Sequence, residues 1–227
     1  MDDAITQLCR DVTGRPTLGN VICGRRAGMD GNKLDSLEQE YSVVLSPVVR
    51  QFFGMANGFD LAWRFQDDAL ARFDTYIEGR AQLLSFHQMF LGFDGRFWRD
   101  ELWVENAPQR DSPFLRNLKV IDYYNHSIES VCLAVTEHDV LSPELWLYQQ
   151  AGPPLRLLFD LGKYLGNLRR FRAIWGWQWF YTDINLARHE YEAVRQNCEL
   201  ILKWYPTIFG DDGSSELNER YRKLMRR

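Results

Sequence analysis

Histidine side chains are common general bases and metal ligands, and this 227-residue chain has four of them: His87, His126, His138 and His189. No two lie three or four residues apart, so no helix can present a histidine pair to a metal ion. His189 and Glu190 share the His-Glu pair of zinc-protease helices, but the second histidine of that motif is missing. The spacing therefore predicts no metal site.

The cysteines could supply a nucleophile, and they stand far apart at Cys9, Cys23, Cys132 and Cys198. Because no Cys-x-x-Cys pair occurs, this spacing predicts reduced thiols in a cytoplasmic protein. Cys132 and Cys198 fall on apolar faces of predicted elements, which favours buried packing over catalysis. An enzymatic site assembled from residues distant in sequence, for instance Cys132 or His138, stays open as an alternative.

Motifs of the common enzyme classes are missing from the sequence. The chain has no G-x-S-x-G elbow, no phosphate-binding P-loop and no G-x-G-x-x-G turn. With 31 acidic residues, adjacent carboxylates such as Asp67 and Asp68 are expected by chance and do not indicate acid–base catalysis. We therefore predict a protein that is not an enzyme and that uses no catalytic residue, no cofactor and no metal.

The charge distribution argues against a nucleic-acid partner. The net charge is −4, and basic clusters such as the run from Arg169 to Arg172 are expected late in helices, where they complement the helix dipole. No stretch approaches the roughly 18 apolar residues of a spanning helix, and the N-terminus has no apolar signal region. We expect a cytoplasmic protein that binds neither nucleic acid nor a membrane.

Helical periodicity dominates the first quarter of the chain. A short helix is predicted over residues 2–12, and an irregular connection rich in glycine over residues 13–32. Two helices are then predicted within residues 33–59. The second begins with Ser46 as N-cap and Pro47 at the first helical position.

The period changes after this helix. Asn57-Gly58 is expected to end it, and the alternation from Phe59 to Phe65 predicts a half-buried strand, with another strand at 82–86. Four further strands are predicted at 118–123, 130–135, 145–148 and 155–158. The turns between them are predicted at 125–127, 142–143 and 151–154. Connections this short favour antiparallel pairing.

The C-terminal part is predicted to be helical. A long helix begins at Asp160 and runs to Tyr181, and the aromatic run from Trp175 to Tyr181 is expected to face mostly the core. Asn185 is expected to cap another helix, and residues 87–117 form an insertion. The predicted fold class is α+β, with N-terminal helices packed on a central antiparallel β-sheet and a C-terminal helical extension.

Several of these features occur together in residues 33–59. They are a helix with Leu37-Glu38, a Leu-Pro helix start in which Ser46 stands between Leu45 and Pro47, and an Asn-Gly pair before the first strand. In this combination the chain resembles the SMI1/KNR4 (SUKH) superfamily, although Val43-Val44 replaces the family's glycine before the Leu-Pro. The short strands and the helix after Phe159 are similar to the family's sheet and closing helix.

The resemblance covers roughly residues 33–182, which would form the SMI1/KNR4-like domain. Residues 1–32 would add an N-terminal helix and connection, and residues 183–227 a C-terminal helical extension, in one globular unit. The superfamily resemblance carries no catalytic residues. Leu34, Leu37, Phe52 and Phe53 are then expected to be structural.

The resemblance implies a function in protein binding. Bacterial members of the family act as immunity proteins, so we expect this chain to neutralise a cognate toxin domain by direct contact, in competition between bacterial cells. The alternative is an intracellular regulatory or scaffold protein that binds a host protein. The C-terminal helices could also serve a homodimer. The candidate contacts are residues expected to point to solvent: Asp67, Asp68, Asp122, Tyr123, Tyr124, Glu137 and Asp139.

Overall fold

The computed structural model describes residues 2–66, 77–91, 112–125, 129–149, 152–210 and 213–227. The α-helices are α1 (Asp2–Thr13), α2 (Gly31–Tyr41), α3 (Pro47–Met55), α4 (Phe86–Leu91), α5 (Ser112–Asn117), α6 (Leu161–Arg170), α7 (Glu192–Phe209) and α8 (Ser214–Met225). The strands are β1 (Leu18–Ala27), β2 (Val44–Leu45), β3 (Ala56–Phe65), β4 (Glu78–Leu83), β5 (Leu118–Asn125), β6 (Glu129–Val135), β7 (Val140–Gln149) and β8 (Leu155–Asp160). Short 3₁₀ helices cover Trp177–Tyr181 and His189–Tyr191.

One curled sheet organises the fold. Its strand order is β1-β3-β4-β5-β6-β7-β2, and β8 also pairs with β7, next to β2. The described strand pairs are antiparallel, except that β2 runs parallel to β7. Helices precede and follow this sheet in the chain. The predicted α+β class, with a largely antiparallel sheet, is therefore confirmed.

The two faces of the sheet support cores of unequal size. The large core joins one face to the helices on either end of the chain, and Leu168 of α6, Val49 of α3 and Cys198 of α7 lie within it. On the other face of β5 and β6, α5 covers a smaller core that includes Leu115 and Cys132. Among the residues that the structure describes, no helix is long and apolar enough to cross a membrane.

The N-terminal region departs from the prediction. α1 forms as expected and buries Leu8 and Val12. Residues 18–27, predicted to be irregular, form the edge strand β1, because pairing with β3 stabilises a segment whose local propensity is weak. The turn from α1 into β1 brings the Cα atoms of Cys9 and Cys23 to 5.8 Å, and the two form a disulfide. The prediction of reduced thiols is therefore wrong for this pair.

The segment that carries the family resemblance folds largely as predicted. The residues expected to be structural are buried: Leu34, Leu37, Phe52 and Phe53. Pro47 opens α3, but the Ser46 side chain makes no capping bond. Asn57-Gly58 does not end α3, which stops at Met55. Instead Gly58, with φ of 118°, lies at a bulge of β3, so its tolerance of positive φ serves a strand and not a helix end.

A second predicted turn also lies inside a strand. Ser142-Pro143 belongs to β7, where the register between β6 and β7 shifts before Leu145. Proline is tolerated at such a bulge because its missing N–H removes no regular ladder bond. The turn between β6 and β7 instead occupies residues 136–139.

The helix predicted from Asp160 to Tyr181 is interrupted. Asp160 caps α6 as expected, but α6 ends at Arg170. Arg172 and Ala173 follow with φ of 49° and 53°, a left-handed conformation that an α-helix cannot contain. The aromatic run forms a 3₁₀ helix, and Asn185 accepts a hydrogen bond from the Ala187 N–H well before α7 begins.

The aromatic run nevertheless lies in the core, as predicted. Trp177 is fully buried and stacks on Phe159 of β8 at a ring-centroid distance of 5.7 Å. Tyr164, Phe171 and Tyr181 also lie within 6 Å of the Trp177 ring, between centroids. These contacts hold the 3₁₀ helix against α6 and β8.

The sheet opens between β4 and β5, and the chain after α6 fills the gap. β4 and β5 pair at Leu83 and Asp122. Towards the other end of β4, the Arg80 N–H donates to the Ala173 carbonyl at 2.8 Å. The chain after α6 thus lies where β5 would have continued, and this places the aromatic run next to Asp122.

Candidate protein-binding surface

The predicted contact residues separate into three groups. Asp67 and Asp68 lie outside the described residues. Asp122, Tyr123 and Tyr124 were expected to point to solvent, and this is wrong, because their exposed fractions are 0%, 4% and 1%. Glu137 and Asp139 are exposed, as expected. Of the five candidates that lie within the described residues, Glu137 and Asp139 are the two that can form part of a surface in the folded state.

The opening of the sheet explains why Asp122 is buried. At this point β4 lacks a carbonyl from β5, and the Asp122 carboxylate replaces it by accepting the Gln82 backbone N–H at 2.8 Å. The Tyr164 hydroxyl donates to the other carboxylate oxygen at 2.6 Å. Burial raises the pKa of Asp122 to about 6, against the lowering effect of these hydrogen bonds.

Tyr124 belongs to a neighbouring buried group. Its hydroxyl donates to Glu129 at 3.1 Å, and the Trp179 indole N–H donates to the other oxygen of the same carboxylate at 3.1 Å. Burial, followed by the charge of Glu129, raises the pKa of Tyr124 well above its usual value. Tyr124 is therefore a neutral donor that ties β5 to β6. Tyr123 points to the opposite face and joins the smaller core.

Glu137 and Asp139 lie in the turn between β6 and β7, next to the short strand β2. The Val44 N–H donates to the Asp139 carbonyl at 2.8 Å, and Val44 pairs with Val140 in the parallel ladder. The Val44 side chain is 55% exposed, which is high for an aliphatic residue held in a sheet. Val44, Glu137 and Asp139 therefore form one surface, which we name the β2 corner.

Glu38 of α2 positions the β2 corner. Its carboxylate accepts the Leu45 backbone N–H at 2.7 Å and forms an ion pair with Arg50 of α3. Ser42 ends α2 in the left-handed conformation, with φ of 51°, and turns the chain towards β7. The Glu of the Leu-Glu pair in the family-like segment thus holds the hinge between α2 and α3. Sequence reasoning missed this role and the exposure of Val44, because an apolar Val-Val-Leu run does not show which residue faces outward.

Exposed apolar surface continues along the same edge of the sheet. Leu158 of β8 is 50% exposed, next to an Arg156–Glu144 ion pair of 2.6 Å. These residues line an open surface pocket with a volume of about 460 Å³. Ile22, 61% exposed, lies instead on β1 at the far edge of the sheet. The β7 edge therefore joins two apolar side chains to charged neighbours, a composition suited to contact with another protein.

The described side chains of Cys132, Cys198 and His87, which could supply catalysis, are buried or engaged in a hydrogen bond. Burial raises the pKa of the Cys132 and Cys198 thiols, which favours their protonated and unreactive form. His87 shares a 2.6 Å hydrogen bond with the Tyr41 hydroxyl. Within the described ranges, no group of three His, Cys, Asp or Glu side chains could hold a metal ion.

The basic run expected late in a helix forms structural ion pairs. Arg170 in the last turn of α6 pairs with Glu216 of α8. Arg172 is largely buried, and its guanidinium lies 3.8 Å from Asp11 of α1. These arginines tie the terminal helices to the core.

Comparisons with known proteins leave the family assignment as a prediction. The chain matches no family model, and comparisons with curated proteins and with solved structures return no match. The resemblance of residues 33–182 to the SMI1/KNR4 superfamily therefore rests on the sequence features given above.

Proposed function

We propose that this protein is a non-enzymatic immunity-type protein that neutralises a cognate bacterial toxin domain by direct binding, and that the β2 corner is part of the contact. The observation that carries the proposal is the 55% exposure of Val44 in a strand fixed by hydrogen bonds from both sides. An aliphatic side chain presented on a rigid element needs no ordering when a partner binds, which favours tight association.

The charges around Val44 indicate the character of the partner. Glu137 and Asp139 are exposed beside it, and the whole chain has a net charge of −4. Acidic side chains at the rim of a contact accelerate association with a basic partner and suppress binding to an acidic one. The proposed partner is therefore a toxin domain with a basic surface.

Steric blockage is the proposed mechanism. A partner that covers the β2 corner and extends along the β7 edge also contacts Leu158. Such a complex keeps the toxin inactive without chemistry in this chain. Neutralisation in a growing cell requires slow release and hence a low dissociation constant.

Co-expression tests this function. Cells would express the toxin-like reading frame that the proposal expects beside this gene, together with wild type, Val44→Asp or Ile22→Asp. Both substitutions place a charge at an exposed aliphatic residue, on opposite edges of the sheet. We expect growth rescue by wild type and by Ile22→Asp, and loss of rescue with Val44→Asp.

The outcomes separate the function from the surface. A toxic neighbour that wild type neither binds nor rescues contradicts the immunity function and favours the scaffold alternative. Rescue that survives Val44→Asp, with both proteins folded by circular dichroism, retains the function and contradicts the β2 corner as its contact.

A further inference from the structure

A buried chain of three side chains links β5, α6 and the 3₁₀ helix of the aromatic run. Gln178 donates through its amide nitrogen to the Tyr164 hydroxyl at 3.4 Å, and Tyr164 donates to Asp122 at 2.6 Å. Their exposed fractions are 1%, 0% and 0%. We name Asp122, Tyr164 and Gln178 the carboxylate chain.

The carboxylate chain has an unused acceptor at its far end. The amide oxygen of Gln178 is buried and has no hydrogen-bond partner among the described residues. A buried polar atom without a hydrogen-bond partner costs free energy, and the Gln178 amide oxygen is such an atom. Both hydrogen bonds of the carboxylate chain are donated in the same direction, from Gln178 through Tyr164 to the charged carboxylate of Asp122.

A proton on the Asp122 oxygen that faces Tyr164 reverses that direction. We place the proton there because the other oxygen already accepts the Gln82 N–H. Asp122 then donates to the Tyr164 oxygen, and the Tyr164 proton needs a new acceptor. A turn of the Gln178 amide brings its unpartnered oxygen to the place that its nitrogen held.

We propose that the carboxylate chain is a pH-sensitive hydrogen-bond switch, in which uptake of one solvent proton by Asp122 reverses both bonds and turns the Gln178 amide. The switch is independent of the proposed partner binding. In each state one polar group of Gln178 lacks a partner: the amide oxygen when Asp122 is ionised, and the amide nitrogen when Asp122 is protonated. The element that responds is the 3₁₀ helix 177–181.

Burial, more than the surrounding charges, places the switch near pH 6. Burial raises the pKa of Asp122 to about 6, and Asp60 on β3 adds to the rise. Tyr164 on α6 and Tyr124 on β5 face the same carboxylate as neutral phenols whose pKa values are themselves raised, first by burial. Beyond Tyr124 lies Glu129 on β6. Burial and the negative charge of Asp60 favour the proton on Asp122, and together they outweigh the hydrogen bonds from Tyr164 and Gln82, which oppose it.

The sign of the effect on stability follows. The pKa of Asp122 is higher in the folded protein than its ordinary 3.8, so the folded state binds the proton more tightly. The resulting stability is fully present below about pH 4 and is lost as the pH rises through 6. A rise of about two units corresponds to about a hundredfold change in the unfolding constant.

Nuclear magnetic resonance of the whole chain tests the switch directly. We expect the Asp122 carboxyl carbon and the Gln178 side-chain amide nitrogen to titrate together, with one midpoint near 6. In Tyr164→Phe the Gln178 signal should no longer follow pH, because the connecting hydroxyl is gone. In Asp139→Asn, a change at an exposed carboxylate, both signals should behave as in wild type. A Gln178 amide that ignores pH between 5 and 7.5 in wild type overturns the proposal.

Urea unfolding provides the second measurement. Relative to Asp122→Asn, the unfolding constant of wild type should rise about a hundredfold between pH 4 and pH 7.5. A ratio that stays constant over this range also overturns the proposal. If Asp122→Asn fails to fold, the resonance measurements on wild type and Tyr164→Phe still decide.

Discussion

Glu38 offers the sharpest test of how the family-like segment builds its surface. The carboxylate is 20% exposed, accepts the Leu45 N–H at 2.7 Å and pairs with Arg50. Removing it in Glu38→Ala leaves the Leu45 N–H without a partner, which costs about 1–3 kcal/mol. The ion pair contributes less than about 1 kcal/mol, because Arg50 keeps its 2.9 Å contact with Asp35. We expect a total loss of about 2 kcal/mol.

Equilibrium urea unfolding followed by circular dichroism measures this loss. For a chain of this size, about 2 kcal/mol corresponds to a fall in Tm of about 4–8 °C. Glu38→Gln keeps an acceptor oxygen and should lose about half as much. Gln39→Ala, an exposed change in the same helix, should stay within about 0.5 kcal/mol of wild type. If Glu38→Ala also stays within that range, Glu38 does not hold the hinge.

Two further predictions concern the backbone and the disulfide. Ser42→Gly should raise the free energy of unfolding in urea by about 0.5–1 kcal/mol, because Ser42 ends α2 at φ of 51°. Ser36→Gly, inside the helix, should lower it by a similar amount. Effects of the same sign in both variants would contradict the cap assignment. Reduction of Cys9–Cys23, which closes a loop with a sequence separation of 14, should cost about 3 kcal/mol. The Cys9→Ser/Cys23→Ser variant should then unfold alike with and without dithiothreitol, and a wild type that is equally indifferent would rule out this pairing.

Local signals predicted the elements that are stabilised by their own pattern. The alternation from Phe59 to Phe65 gives β3, and the spacing of Leu34 and Leu37 gives the buried face of α2. Pro47 opens α3 because the proline ring fits the first helical turn wherever the chain folds. In these elements, local preference and tertiary burial agree, so the sequence alone was sufficient.

The errors arise where a distant segment decides the structure. β1 is a strand because β3 pairs with it, although its own glycines favour an irregular chain. Asp122 was predicted to be exposed because it lies just before the turn predicted at 125–127, yet the gap between β4 and β5 supplies an unpaired N–H that it satisfies. No residue pattern close to Asp122 in the sequence indicates that gap.

Part of the candidate surface could be predicted from the sequence, whereas the part that depends on a distant strand could not. Glu137 and Asp139 lie between the strands predicted at 130–135 and 145–148, so their exposure could be foreseen although the turn itself was predicted at 142–143. Val44 could not be recognised, because its exposure depends on the parallel pairing of β2 with β7 across almost a hundred residues of chain. Contacts of this range have no local sequence pattern.

The dissociation constant of the complex with the proposed toxin domain is the most direct test of whether the β2 corner binds that domain. It would be measured by titration calorimetry for wild type, Val44→Asp, Ile22→Asp and the pair Glu137→Lys/Asp139→Lys. We expect at least about tenfold weaker binding for Val44→Asp, a weaker affinity for the lysine pair that depends on salt concentration, and no change for Ile22→Asp. Equal affinity of Val44→Asp and Ile22→Asp for the toxin domain would contradict the β2 corner as the contact.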